Sequence, residues 1–398
     1  MSNIQHASSR GRLSAKYFVV AVVLVGANLR APVTSIGPVL PTIQTALGLD
    51  DVGAGLLNSL PLLIFALLSL VAPRVGRRFG LERTLGAALA AIAVGTLIRS
   101  LTFTGSLWIG TVVLSVGIAF GNVLLPGLVK RDAQSNAASL IGMYAAAMAA
   151  VAGLAAGLAV PVAELPSSDW RWGIGIWAIF AVVAFLVWIP LMKGNEHHLS
   201  KTAPTAFVAR SPWRHAIGWH VSLFFACHSL VFYSLVDWFA TYAQSEGMTT
   251  KEAGFYLLVY QVVSVVTNLA CAPMIRKFKD QTLLGFLCGL FLVVATTGLY
   301  IAPSAALLWI VSAGLGAGLS MTTSLSLFGL RTRDHHSAVV LSGMGQFVGY
   351  IGAAAGPLLF GVLHMIGQSW TAPFLLLIVV SIFVSVFAIM AGRDRFIE

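Results

Sequence analysis

Apolar residues run along this chain in long blocks separated by short polar stretches. A helix rises 1.5 Å per residue, so about 20 apolar residues cross the hydrocarbon core of a bilayer. Twelve blocks have that length: 17–46, 52–74, 84–102, 106–131, 137–162 and 171–193, then 214–244, 251–275, 281–302, 305–331, 337–365 and 371–392. The pattern predicts an all-α membrane protein with twelve transmembrane helices. One long polar segment, 194–213, divides it into an N-terminal six-helix bundle (1–193) and a C-terminal six-helix bundle (214–398).

The two halves repeat. Ala72-Pro73 followed by Arg77-Arg78-Phe79 returns as Ala272-Pro273 followed by Arg276-Lys277-Phe278. Gly127-Leu128 with Arg131-Asp132 returns as Gly329-Leu330 with Arg333-Asp334, and Gly142-Met143 as Gly343-Met344. Three echoes in register, at an offset of about 200 residues, argue for an internal duplication. Two pseudo-symmetric bundles related by an axis along the membrane normal form a transporter architecture, with the site between them at mid-depth.

Composition agrees. Of 398 residues, 58% are hydrophobic and 10% charged, against about 25% charged in soluble domains; the mean hydropathy is +0.88. A net charge of +10 raises the question of nucleic acid, but the charges form no block and lie between the apolar segments. That is the positive-inside pattern. With the N-terminus inside, the inner segments hold 20 of the 24 Lys and Arg residues. Both termini and the 194–213 link are therefore expected in the cytoplasm. Arg10, Arg12 and Lys16 precede an apolar run as in a signal peptide, yet Arg30 and three prolines inside that run mark a retained first helix.

Cys227, Cys271 and Cys288 all lie in apolar blocks without metal-ligand spacing, so neither a disulfide framework nor a metal site is expected. No phosphate-binding loop supports ATP-driven transport, and no catalytic constellation or cofactor motif is present in the sequence. The expected partners are the lipid bilayer and a small-molecule substrate, with protons as the candidate coupling ion and a monomer as the expected state.

Candidate chemistry centres on Asn28 to Pro41, NLRAPVTSIGPVLP. Arg30 lies about 20 Å along the first span from Lys16, near mid-depth, where an arginine costs at least a few kcal/mol. Pro32 and Pro38 free the carbonyls of Asn28 and Thr34, and freed backbone at that depth needs protein or a water-filled cavity. Two readings of Arg30 follow: a fork that binds planar oxygens of a substrate, or a structural cation on the freed carbonyls. Thr34 shares its face, whereas Asn28 is about 200° away in an unbroken helix. Further polar residues that could line the path are Asn122, Tyr144, His228, Tyr233, Gln261, Gln346 and Tyr350, each with helix packing as the alternative. Tyr256, Tyr260 and Ser264 form a stripe beside Gln261. The fourteen acidic residues avoid mid-depth. Proton coupling then falls to His228 or Asp237, or transport runs as facilitated diffusion or exchange.

These residues resemble the major facilitator superfamily, whose basic turn between helices 2 and 3 reads roughly Gly-x-x-x-Asp-Arg-x-Gly-Arg-Arg. The stretch Ala72 to Arg83 carries Arg78-Phe79-Gly80 of that turn, but Arg77 stands where the superfamily has Asp. Arg77, Arg78, Gly80 and Arg83 are the candidate cytoplasmic gate loop by this resemblance. More narrowly, NLRAPVTSIGPVLP, GNVLLPGLVKRD (Gly121–Asp132), SGMGQFVGY (Ser342–Tyr350) and AGRDR (Ala391–Arg395) resemble the cyanate/2-nitroimidazole (CynX/NimT) transporter family. The resemblance implies a secondary transporter in the bacterial inner membrane, exporting a small planar polar compound by alternating access. A membrane-bound sensor on a carrier fold and an uptake carrier for another small organic anion are the alternatives.

Overall fold

The computed structural model describes residues 15–49, 51–133, 136–193, 211–278 and 280–397; most of the 194–213 link lies outside them. The described chain is helical throughout, with no strand. The first span is not one helix. It runs as α1 (Ala15–Asn28), α2 (Ala31–Thr34), a 3-10 turn (Gly37–Val39) and α3 (Leu40–Leu47). The breaks fall where the prolines remove donors: Pro32 stands at the start of α2 and Pro38 inside the 3-10 turn. The second span also ends early. Helix α4 (Asp51–Ser69) stops, and the chain turns into the short basic α5 (Ala72–Phe79), bent by 58°. Gly80, at φ +87°, closes α5, a conformation that glycine adopts without a side-chain penalty.

Then follow α6 (Leu81–Arg99), α7 (Ser106–Ala133), α8 (Ala137–Ala163), α9 (Trp170–Gly175), α10 (Trp177–Lys193), α11 (Ala216–Ser245) and α12 (Thr250–Lys277). The bundle is completed by α13 (Thr282–Ile301), α14 (Ala306–Leu330), α15 (His335–Gly367) and α16 (Thr371–Gly392). Eleven segments among the described residues are long and apolar enough to span a membrane, and the bent α4–α5 pair makes the twelfth.

Side chains set several starts. Thr249 and Glu252 form a reciprocal capping box at α12. Asp334 accepts from the Ser337 amide at α15, 2.9 Å, and Asp169 from the Arg171 amide at α9, 2.9 Å. Each satisfies one of the free N–H groups at a helix start.

The ends carrying Arg77, Arg78, Lys130, Arg131, Arg276 and Arg331 lie together, and form the basic end. Here the halves meet closely. Gly343 of α15 lies so near α4 that a Cβ would come within 2.7 Å of the Ser69 carbonyl. Gly142 of α8 packs on Ala272 and the Asn268 carbonyl of α12. Lys130 of α7 crosses between the halves: its Nζ donates to the Gly329 carbonyl at 2.5 Å, to the Thr332 carbonyl, and to Thr332 Oγ1 at 3.1 Å. A cation at the last carbonyls of α14 also meets the negative end of that helix dipole.

Candidate functional site

Two arginines enter the interior near the broken first span, and they do different work. Arg99, the last residue of α6, is fully buried. Its guanidinium donates to the Pro32 carbonyl at 2.6 Å, Ser35 Oγ at 3.2 Å and the Ile174 carbonyl at 3.0 Å. It therefore ties α6 to the broken span and to α9. Arg99 is thus a cation on the broken stretch, but its acceptor there is the Pro32 carbonyl and not the Asn28 or Thr34 carbonyl that the prolines free.

Arg30 lies in the break between α1 and α2, with φ −133° and ψ −36°. Leaving helical geometry turns its side chain toward the other half. One Nη donates to the Tyr233 hydroxyl of α11 at 3.3 Å. The Phe232 ring sits 4.7 Å from the guanidinium carbon and the Tyr233 ring 5.7 Å. Arg30 is half-buried, and none of the ion pairs among the described residues includes it. A guanidinium has five N–H donors, so most of the fork is left for something else.

The cluster extends across the interface between the halves. Tyr260 of α12 packs its ring on Phe232, 5.7 Å between centroids, and its hydroxyl is buried without a hydrogen-bond partner. Tyr233, Tyr260 and Tyr350 all lie close enough to Arg30 to feel its charge. Asn122 of α7 donates to the Tyr350 hydroxyl of α15 at 2.6 Å, and Phe65 of α4 packs on Tyr350 at 5.0 Å. Arg30, Asn122, Tyr233 and Tyr350 are thus brought together from four spans.

The other sequence candidates are distributed differently. Asn28 is buried and donates to the Leu24 carbonyl of its own helix, 2.9 Å. Thr34 donates to the Ala152 carbonyl at 3.0 Å and fastens α2 to α8. Tyr144 is buried under Gly26, its hydroxyl without a partner. Gln346 lies one turn from Tyr350 toward the basic end, with its amide oxygen buried and unpartnered. Gln261 is half-buried beside Tyr260.

His228 is buried against the rings of Phe224 and Phe225, with Nε2 3.3 Å from Ser324 Oγ. Asp237 is exposed, one turn beyond Tyr233 on the same helix face and farther from the basic end. Arg77 and Arg78 are exposed on α5, and Arg78 covers the Phe79 ring at 5.4 Å. Arg83 is exposed on the first turn of α6, next to Gly80. The cation that joins the halves at this end is Lys130, which the sequence marked only as an inner basic residue.

Sequence reasoning ranked Gln261 above its neighbour Tyr260. It had no signal for Phe232 or Phe65, since apolar residues in a span read as lipid or core.

A fold of twelve helices with its polar cluster at the interface between halves narrows the comparison with known proteins, and the Major Facilitator Superfamily profile matches residues 18–357. The chain belongs to this superfamily. It is 36% identical over 377 residues to the 2-nitroimidazole transporter of Escherichia coli (strain K12), covering 95% of each. It is 26% identical over 362 residues to the cyanate transport protein CynX of the same organism, covering 88% of this chain and 91% of that one. The human organic anion transporter MFSD10 superposes with a TM-score of 0.77 over 94% of this chain and 100% of that one, at 15% identity. Major facilitator transporters of unrelated sequence thus share the fold.

Proposed function

We propose that this major facilitator transporter exports a small planar polar compound, 2-nitroimidazole-like or a cyanate-like anion, across the bacterial inner membrane. Arg30 is the substrate-binding cation. The observation that carries the reading is its half-buried guanidinium, which has one hydrogen bond, to a neutral tyrosine, and no carboxylate partner. An uncompensated cation at mid-depth is costly; an anionic or nitro-bearing substrate offsets that cost. The 2-nitroimidazole transporter at 36% identity supports the substrate class.

Movement is by rocking of the two six-helix bundles, 1–193 and 214–398, about this site. The Lys130 clasp and the close packing of Gly343 on Ser69 support a state sealed at the basic end. Asp237 and the half-exposed Tyr233 line the approach from the opposite end. The charge asymmetry makes the basic end cytoplasmic, with both termini inside. Asn122, Tyr233 and Tyr350 are the remaining first contacts; Asn28, Thr34, Tyr144, Gln261 and Gln346 frame the path. Asp237 is the better-placed proton carrier, an exposed carboxylate on the Tyr233 face of α11, and His228 the second. The functional unit is a monomer.

The test is transport of 2-nitroimidazole by the purified chain in liposomes, with and without a pH gradient. The expected result is movement across the bilayer that Arg30→Ala abolishes. A chain that binds the compound but does not move it would be a sensor. A cysteine in the 194–212 link that reacts with an impermeant reagent on intact cells would overturn the orientation.

A further inference from the structure

The hydrogen-bonding character of the Arg30 cluster can be counted from its donors and acceptors. The Tyr233 hydroxyl accepts from Arg30. Arginine has no acceptor, so the Tyr233 hydroxyl proton points elsewhere, and no protein acceptor among the described residues receives it. The Tyr260 hydroxyl is buried with neither a donor nor an acceptor partner. Its ring is fixed against Phe232, which itself lies on the Arg30 guanidinium. Two unused hydroxyl donors therefore belong to the ring cluster that packs on the Arg30 guanidinium. The buried polar hydroxyl of Tyr260 carries a desolvation cost in this state. That cost is recovered only when an acceptor arrives. The flat faces of Phe232 and Tyr233 beside the fork suit a planar group.

We infer that Tyr233 and Tyr260 are specificity-determining residues that donate, together with Arg30, to one planar oxyanion, so that the site selects an anionic aromatic or conjugated compound over its neutral and cationic isosteres. This rests on the reading of Arg30 as the substrate-binding cation and adds the donors that tell an oxyanion from an amide. The Tyr350 hydroxyl likewise accepts, from Asn122 across the two halves, and remains a first contact beside these two donors.

The experiment measures binding of benzoate, benzamide and benzylamine to the purified full-length chain, and repeats the benzoate titration with Tyr233→Phe, Tyr260→Phe and Arg30→Ala. Melting temperatures are taken on the same samples. Benzoate binds the wild-type chain at least about tenfold more tightly than benzamide, and benzylamine more weakly still. Each Phe variant loses about tenfold in benzoate affinity, the scale of one hydrogen bond to a charged group. Tyr260→Phe melts no lower than wild type, because the deleted hydroxyl bonds no protein group; a structural tyrosine would show the opposite, lower melting with unchanged affinity. Equal binding of benzoate and benzamide, absence of benzoate binding to wild type, or wild-type affinity in either Phe variant would overturn the inference. If Arg30→Ala loses benzoate while both Phe variants keep it, this inference falls and the charge-binding role of Arg30 stands. If Arg30→Ala also binds as wild type, both fall.

Discussion

Arg30 and Arg99 are both charged residues drawn into the same broken stretch of a membrane helix, and they differ in what surrounds the guanidinium. Arg99 is fully enclosed and meets three acceptors from two segments, Pro32 and Ser35 of the broken span and Ile174 of α9. Arg30 meets one, a tyrosine hydroxyl that retains its own donor, and is only half-buried. Neither has a carboxylate. The contrast separates a cation that completes the backbone from one that is left incomplete. The break in the helix exposes polar backbone, and one arginine binds it at Pro32; the other keeps most of its donors unused.

Removing each arginine breaks the comparison in a different observable. The largest effect is expected for Arg99→Met. The Ile174 carbonyl loses this donor, while the Pro32 carbonyl still accepts from the Ser35 hydroxyl at 3.1 Å; a buried acceptor left unpaired costs about 1–3 kcal/mol, partly offset by relief of burying the charge. The tie from α6 to both the broken span and α9 is lost with it, read as a lower melting temperature and yield, with unchanged affinity in the protein that folds. An Arg99→Met chain that melts like wild type would remove it from the role assigned above.

Next comes Arg30→Ala. Its loss should weaken substrate binding by about 1.5–3 kcal/mol, the worth of a hydrogen bond to a charged group, while melting stays level or rises because a costly charge has left the membrane. Arg30→Lys keeps the charge without the fork and should retain part of the affinity. Affinity and melting temperature measured on the same three proteins separate the two arginines. A destabilised Arg30→Ala with normal affinity would make Arg30 a second Arg99.

The smallest effect sharpens the comparison with a third cation. Lys130 is half-buried like Arg30, but its ammonium holds carbonyls of the other half. A cation at a helix C-terminus contributes about 0.3–1 kcal/mol. Lys130→Met should therefore raise exposure of the basic-end interface only a few-fold. The readout is the rate at which maleimide labels Ser342→Cys, a position buried on α15, against the chain with its native thiols alone. Equal rates with and without Lys130 would show that the clasp does not hold this end.

Most of the architecture could be read from the sequence because lipid imposes a simple length rule. The proline-driven break of the first span was visible for the same kind of reason, since a missing N–H is a local fact. The partners were not. Arg99 reaches Pro32, 67 residues back along the chain, and nothing in its own helix announces that. Tyr260 and Gln261 differ by about 100° of helix rotation, which a polar ranking ignores; the structure sets Tyr260 on Phe232. The gate was sought in the basic turn at Arg77 and Arg78, because that turn has a signature. Lys130 acts through backbone carbonyls, which have no identity in a sequence.

Lys130 and Thr332 stand 202 positions apart, the same step that carries Arg131-Asp132 onto Arg333-Asp334. A residue that touches its own counterpart lies where the two repeats face each other, and there identical halves cannot serve. Two lysines would set like charges together, and two threonines would be too short to reach. Two echoing halves are thus obliged to differ at this point. One copy became the donor, the other kept its carbonyls bare, and the pair gained a handedness that neither repeat has alone.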